Sequence, residues 1–236
     1  MSIGEVGEGG YTLEADDVDW DPAWRVIASE YAGANLFDRA ASAEHLAALQ
    51  EIADLTNPAA RAAVGEIELV PPEERIYGPG AGRIMAAFTH PGRGSRFSDG
   101  KRGTFYATRA PLTAAAEWGH HHARRLGESG SGPVITEATL LRVTLRATLV
   151  DVRARCSQPP GLYHDSDYGA GQALGRLVRD LRGDGIVYDS LRDRGGVCAA
   201  LFRPRVLSEC RPGGTVRYLW NGAALAAPTL DVPTPT

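Results

Sequence analysis

Only one of the 25 cationic side chains is a lysine, Lys101, which reads as a codon-usage bias towards arginine. Cysteine is scarce too. Cys156, Cys198 and Cys210 are odd in number and show no metal-ligand spacing, so they read as reduced thiols and not as a disulfide framework. Cys198 lies in the apolar run "VCAALF" and reads as core. No apolar run approaches the length of a membrane-crossing helix, and the first residues carry neither a basic lead nor an apolar signal core. The expected location is the cytoplasm, with no membrane partner. There is no internal repeat. An excess of positive charge is also missing: the net charge is −4, which argues against direct nucleic-acid binding, because phosphate polymers need a cationic face.

What is present is globular. Apolar residues make up 43% and charged residues 23%, enough apolar surface for one substantial core. Charge is unevenly placed. Met1 to Asp21 hold seven acidic residues and no basic one, whereas Arg75 to Arg109 hold seven basic residues against Asp99 alone. A local positive field in an acidic protein suits a small phosphorylated ligand, the alternative being a solvated face. Residues 1–20 read as a flexible acidic leader, 21–226 as a single domain and 227–236 as a flexible, proline-broken tail.

Local patterns supply the elements. "WRVI" (Trp24 to Ile27) reads as a strand that opens the ordered part. Ser42 caps a helix with Leu46, Leu49, Ile52 and Ala53 on one face, and Asn57-Pro58 starts a short helix that Gly65 ends. "TFYAT" is a short strand, and Pro111 opens a helix to about Leu126, stopped by Gly127. Leu141, Val143, Leu145, Ala147 and Leu149 alternate with polar residues as a half-buried strand does. Ala170, Ala173, Leu174, Leu177, Val178 and Leu181 form one helical stripe, with Asp167 before it and Gly183 after it. "GIVYDS" and "VCAALF" form a hairpin around "LRDRGG". Strands and helices mix without regular alternation, so the fold class is α+β.

Three residues of one short reach suggest chemistry. Arg96, Tyr106 and Glu117 fall on a loop, a strand and the following helix, which a strand-turn-helix can bring to one cleft. Arginine binds phosphate bidentately, tyrosine offers a ring and a hydroxyl, and a carboxylate stabilises developing positive charge. The trio fits cleavage of a glycosidic bond in a phosphorylated nucleotide through an oxocarbenium-like transition state. Each residue has a plainer reading: a pair with Asp99 for Arg96, a core ring for Tyr106, an exposed helix position for Glu117.

The segment "GSRFSDGKRGTFYATRAPLTAAAEW", with "YHDSDYGAGQAL", "DGIVYDSLRDRGGVCAALFRP" and "VRYLW" downstream, resembles the RES domain from about Trp24 to Trp220. RES domains are bacterial toxins named for an arginine, a glutamate and a serine. The resemblance implies an ADP-ribosyltransferase-like fold, two small β-sheets around a central NAD cleft flanked by helices. It implies consumption of NAD as substrate by glycosyl transfer: phosphorolysis, hydrolysis or ADP-ribosylation of a protein. It also implies a toxin-antitoxin system, in which a helix-turn-helix-type antitoxin covers the cleft.

Carried over, the catalytic set is Arg96, Tyr106, Glu117 and Ser190. Arg96 holds the pyrophosphate, Tyr106 stacks on the nicotinamide or its ribose, Glu117 meets the ribose hydroxyls and the anomeric charge, and Ser190 orients Glu117 or binds ribose. Phe97, Ser98 and His90 join the NAD-binding set, His90 alternatively being an ordinary loop residue. The region from about Ser42 to His90 is an insertion relative to compact members. It resembles the subgroup associated with ADP-ribosylating phosphoribosyl pyrophosphate synthetase. A catalytically inactive ADP-ribose-binding or scaffold module is the alternative. No metal is expected: the consecutive His120, His121 and His122 point different ways on a helix, and His164-Asp165 sits in a loop.

Overall fold

The alternating run around Leu145 becomes the middle of the sheet. In the computed structural model, which describes residues 2–6, 11–29, 35–56, 62–153 and 160–233, strand β4 spans Val134–Asp151. Its inward residues Leu141, Val143, Leu145 and Leu149 are fully buried or nearly so. Strand β2 (Tyr11–Ala28) runs antiparallel along one edge of β4, from Glu14 opposite Asp151 to Ala28 opposite Ala138. The other edge of β4 is divided. Its first part pairs with β7 (Leu207–Trp220) and its last residues pair in parallel with β5 (Gly185–Asp189). Strand β5 continues through β6 (Val197–Leu201) to β3 (Phe105–Thr108), and β3 returns to β2 at Thr108 opposite Trp24. Strands β1 (Ser2–Val6) and β8 (Thr229–Asp231) lie at the ends.

The α+β class therefore holds. The two small sheets expected from the sequence are instead one eight-stranded sheet in the order β1-β2-β3-β6-β5-β4-β7-β8. The additional pairing of β2 with β4 closes a ring through β3, β6 and β5, because two 18-residue strands are long enough to serve both halves.

Residues 11–20 differ from the loose leader expected. They are the first half of β2, and their acids meet polar partners on β4 and just past its end. Asp17 accepts from the Thr148 hydroxyl at 2.7 Å, Asp19 pairs with Arg146 at 3.3 Å, and Asp16 pairs with Arg153. Val18 and Trp20 enter one buried cluster and Leu13 another, on the opposite face of the strand. The expected tail likewise contains β8. The helix proposed at Asn57-Pro58 and the thiol of Cys156 lie outside the described residues.

Five α-helices are present among the described residues: α1 (Leu36–Arg39), α2 (Ala43–Thr56), α3 (Ala81–Thr89), α4 (Pro111–Glu128) and α5 (Gly169–Asp180). Ser42 caps α2 as expected, its hydroxyl accepting from the His45 N–H. Helix α4 outlasts Gly127 and stops at Ser129, where Gly130 takes the left-handed conformation at φ 63°. No described helix is long and apolar enough to cross a membrane.

Helix α5 positions the arginine motif. Its apolar stripe packs Leu174 and Val178 into the core with Phe97, Tyr188 and Ala200. Its Gly171 and Gly175 lie flat on the backbone of Arg96 and Phe97: a Cβ at either would stand 2.3 Å from the facing carbonyl oxygen. Gly175→Ala is expected to cost about 2 kcal/mol by forcing the helix off the loop. Calorimetry should find the midpoint of unfolding lowered by about 4–8 °C.

Candidate active site

Glu117 lies in the second turn of α4, and Ser190 directly follows β5. The Ser190 hydroxyl donates to Glu117 Oε1 at 2.5 Å. The direction of this bond is fixed, because Ser190 Oγ already accepts from the backbone N–H groups of Arg192 (3.1 Å) and Asp193 (3.0 Å). With both lone pairs engaged, its proton has only the carboxylate to go to. The loop that carries Ser190 is bolted to the start of α4: buried Thr113 donates to Asp193 Oδ2 at 2.6 Å. The Cys198 thiol lies 3.8 Å from the same Glu117 oxygen, and burial holds its pKa well above the ordinary thiol range, so it stays protonated. Glu117 Oε1 is thus the anchored oxygen.

Tyr188 sits opposite Cys198 in the β5–β6 ladder, edge-on to Phe97 with ring centroids 4.9 Å apart. Burial pushes its phenol well above the ordinary range, and the same hydroxyl feels Tyr106, Glu117 and Arg96. Glu117 and Ser190 therefore meet directly, with Cys198 beside them and Tyr188 opposite it in the ladder.

The other residues expected from the sequence each have structural partners of their own. Arg96 Nη1 donates to the carbonyl oxygens of Leu162 (2.7 Å) and His164 (3.0 Å), and its guanidinium stands over the Tyr168 ring at 5.1 Å. Part of this fork is spent on holding the 160–168 loop. Its alternative partner, Asp99, turns to the Lys101 N–H. Tyr106 is a strut: its hydroxyl shares a proton with Ser95 Oγ at 2.7 Å and accepts from the Phe97 N–H at 3.1 Å, and burial raises its pKa. Phe97 is core. Ser98 is buried and donates to the Arg102 carbonyl. His164 accepts two backbone N–H bonds through Nδ1, and His122 stacks on Trp118. Among the described residues no three histidine, cysteine or acidic side chains converge as a metal ion needs.

The residue missed by sequence reading is Arg25. β2 and β3 part beyond the Trp24–Thr108 pair, and the parted strands border a cavity of about 750 Å³. Arg25, Arg83, Arg93 and Arg102 line it, with no carboxylate among the described lining residues; His90, Ser95, Ser98 and Tyr106 also line it. Arg25 is half-buried, donates to the Tyr106 carbonyl at 3.1 Å and lies over the Phe105 ring at 4.6 Å. Burial lowers its pKa to about 10, so it remains a cation at neutral pH. The available signal was a charged residue inside the apolar strand pattern "WRVI".

Loss of the Ser190 anchor should loosen Glu117 without removing it. Ser190→Ala is expected to lower turnover of the reaction proposed below by about 10–50-fold, the loss of one charge-assisted hydrogen bond. Steady-state kinetics should show KM for the dinucleotide nearly unchanged.

The RES domain family model matches residues 72–221. No curated protein matches the chain in sequence. In a crystal structure of the M. tuberculosis MbcT–MbcA toxin–antitoxin complex, one chain aligns at a TM-score of 0.39 with 11% identity, covering 58% of this chain and 77% of that one.

Proposed function

The chain belongs to the RES domain family, and from that premise we propose that it cleaves the nicotinamide–ribose bond of NAD and passes the ADP-ribose to an acceptor. The observation that carries this reading is the anchored carboxylate: Glu117 is fixed through one oxygen by Ser190 at 2.5 Å, leaving Oε2 to face charge developing at C1″ of the ribose. A fixed anion at that point lowers the barrier to an oxocarbenium-like transition state. The arginine-lined cavity supports the dinucleotide part. Its volume of about 750 Å³ is within the usual range for ligand sites, and its arginines suit a pyrophosphate.

On this reading the pyrophosphate goes chiefly to Arg25 and its neighbours, and Arg96 positions the 160–168 loop. Tyr106 supports the wall between the two. The catalytic domain then includes β2, so it begins before residue 72. A cleft of ADP-ribosyltransferase type would lie where β2 and β3 part. No metal is assigned a role. Unchecked NAD loss harms the producing cell, so a toxin needs an inhibitor. A helix-turn-helix-type antitoxin seated over the cleft is the proposed partner, with phosphoribosyl pyrophosphate synthetase a proposed target should the acceptor be a protein.

The test is incubation of the purified chain with NAD, with and without inorganic phosphate, followed by mass identification of products. Free ADP-ribose, ADP-ribose 1-phosphate and a modified protein are separate masses. Absence of nicotinamide release under every condition overturns the proposal and leaves a binding module.

A further inference from the structure

Beyond Glu117, the same face of α4 carries a second group suited to the acceptor half of the reaction. His120 is three residues on from Glu117, which makes the two neighbours on the helix surface. Two other elements reach this face. Arg192, from the loop after Ser190, pairs with Asp165 of the 160–168 loop at 3.0 Å. The charges that act on the His120 imidazole are Glu117 and Arg124 on its own helix, and Arg192 and Asp165 from these loops. Its other ring contact is edge-on to His121, with centroids 5.4 Å apart.

Most other histidines are committed. Ring nitrogens of His45, His90, His122 and His164 are engaged in hydrogen bonds, whereas no hydrogen bond to the His120 ring exists among the described residues. His121 also has no ring hydrogen bond among the described residues, but it is exposed, whereas His120 is half-buried. Position therefore singles out His120.

We propose that His120 is the general base of the transfer step, and that the acceptor is accordingly an O–H nucleophile, water when the chain acts alone. The inference rests on the NAD-cleaving reading above. In the step, the C1″–N bond breaks and its electron pair leaves with nicotinamide, neutralising the pyridinium. A lone pair of the acceptor oxygen forms the C1″–O bond, and the oxygen's proton passes to His120, which returns it to solvent. Inorganic phosphate as the dianion attacks through an oxygen that has no proton to lose, so it would leave His120 without a task. Burial and Arg192 hold the imidazole pKa below the ordinary histidine range, against the opposite pull of Glu117 and Asp165. His120 is therefore neutral at pH 7 and ready to accept a proton.

The experiment compares wild type, His120→Ala, His121→Ala and Glu117→Gln in phosphate-free buffer from pH 5 to 8.5, with and without azide, an anionic nucleophile that carries no proton. His120→Ala is expected to lower kcat for ADP-ribose formation by about 30-fold. That is below the usual general-base contribution of about 10²–10⁴, because the bond to nicotinamide is largely broken before the acceptor attacks. KM for NAD should stay within about twofold. Wild-type turnover should fall on the acid side as the imidazole protonates, and the variant should lose that limb. Azide should restore nicotinamide release in His120→Ala but not in Glu117→Gln, and His121→Ala should behave as wild type. An active wild type with an unaffected His120→Ala, or a deficit that azide leaves in place, overturns the inference while NAD cleavage stands. Exclusive formation of ADP-ribose 1-phosphate when phosphate is supplied also overturns it. A wild type that releases no nicotinamide overturns both.

Discussion

Glu117→Gln is expected to lower nicotinamide release by about 10³-fold or more, with KM for NAD changed by no more than about threefold. Glutamine keeps the volume of the side chain and a carbonyl oxygen for the Ser190 hydroxyl, so the 2.5 Å anchor has a replacement acceptor. What goes is the negative charge. A factor of 10³ corresponds to about 4 kcal/mol of transition-state stabilisation, the size that a preorganised charge supplies in a water-poor site. The ground state has a pyridinium one bond away from C1″ and gains little from the same charge, so binding should hardly move. Single-turnover release of nicotinamide, followed together with binding of NAD to the inactive variant, separates the two effects. A variant that releases nicotinamide at the wild-type rate would remove Glu117 from the mechanism.

Glu117 was legible because it falls in the helix that Pro111 opens, whereas Ser190 entered only through the resemblance to the RES domain, local pattern giving no more than its place at the end of "GIVYD". The β4 alternation and the α5 stripe were legible as well, since each is a one-dimensional periodicity. Residues 11–20 were not. Asp16, Asp17 and Asp19 read as a charged leader until Thr148 and Arg146 are seen opposite Asp17 and Asp19, and Arg153, just past the end of β4, is seen to pair with Asp16. Cross-strand pairing of that kind is invisible until the register is known. Arg96 shows a related limit. Its motif marks it as important, but only the distances to Leu162 and His164 show that part of its guanidinium holds a loop. The ring of strands β2, β3, β6, β5 and β4 is longer-range still. It depends on one strand changing partners along its edge, which no window of sequence reports.

Arg25→Met is expected to raise KM for NAD by about 100-fold while kcat stays within about threefold. Arg25 is a partly desolvated cation whose neighbours, the Cys210 thiol and the Tyr106 phenol, are uncharged at neutral pH, and such a group gains when an anion joins it. A pyrophosphate in the adjoining cavity would be that anion, and charge-assisted hydrogen bonds to it are worth about 1.5–3 kcal/mol. Methionine preserves the apolar stem over the Phe105 ring and removes the charge. The Tyr106 carbonyl loses one donor, but a desolvated charge is relieved, so the unliganded protein should melt within about 3 °C of wild type or above it. The rise in melting temperature on adding NAD should largely vanish. Arg96→Met should do the reverse: KM nearly constant, with lower stability and lower kcat because the Leu162 and His164 carbonyls lose their donor. If thermal shift and kinetics instead show Arg96→Met losing NAD affinity and Arg25→Met keeping it, the pyrophosphate belongs beside Arg96, and the cavity between β2 and β3 is not its site.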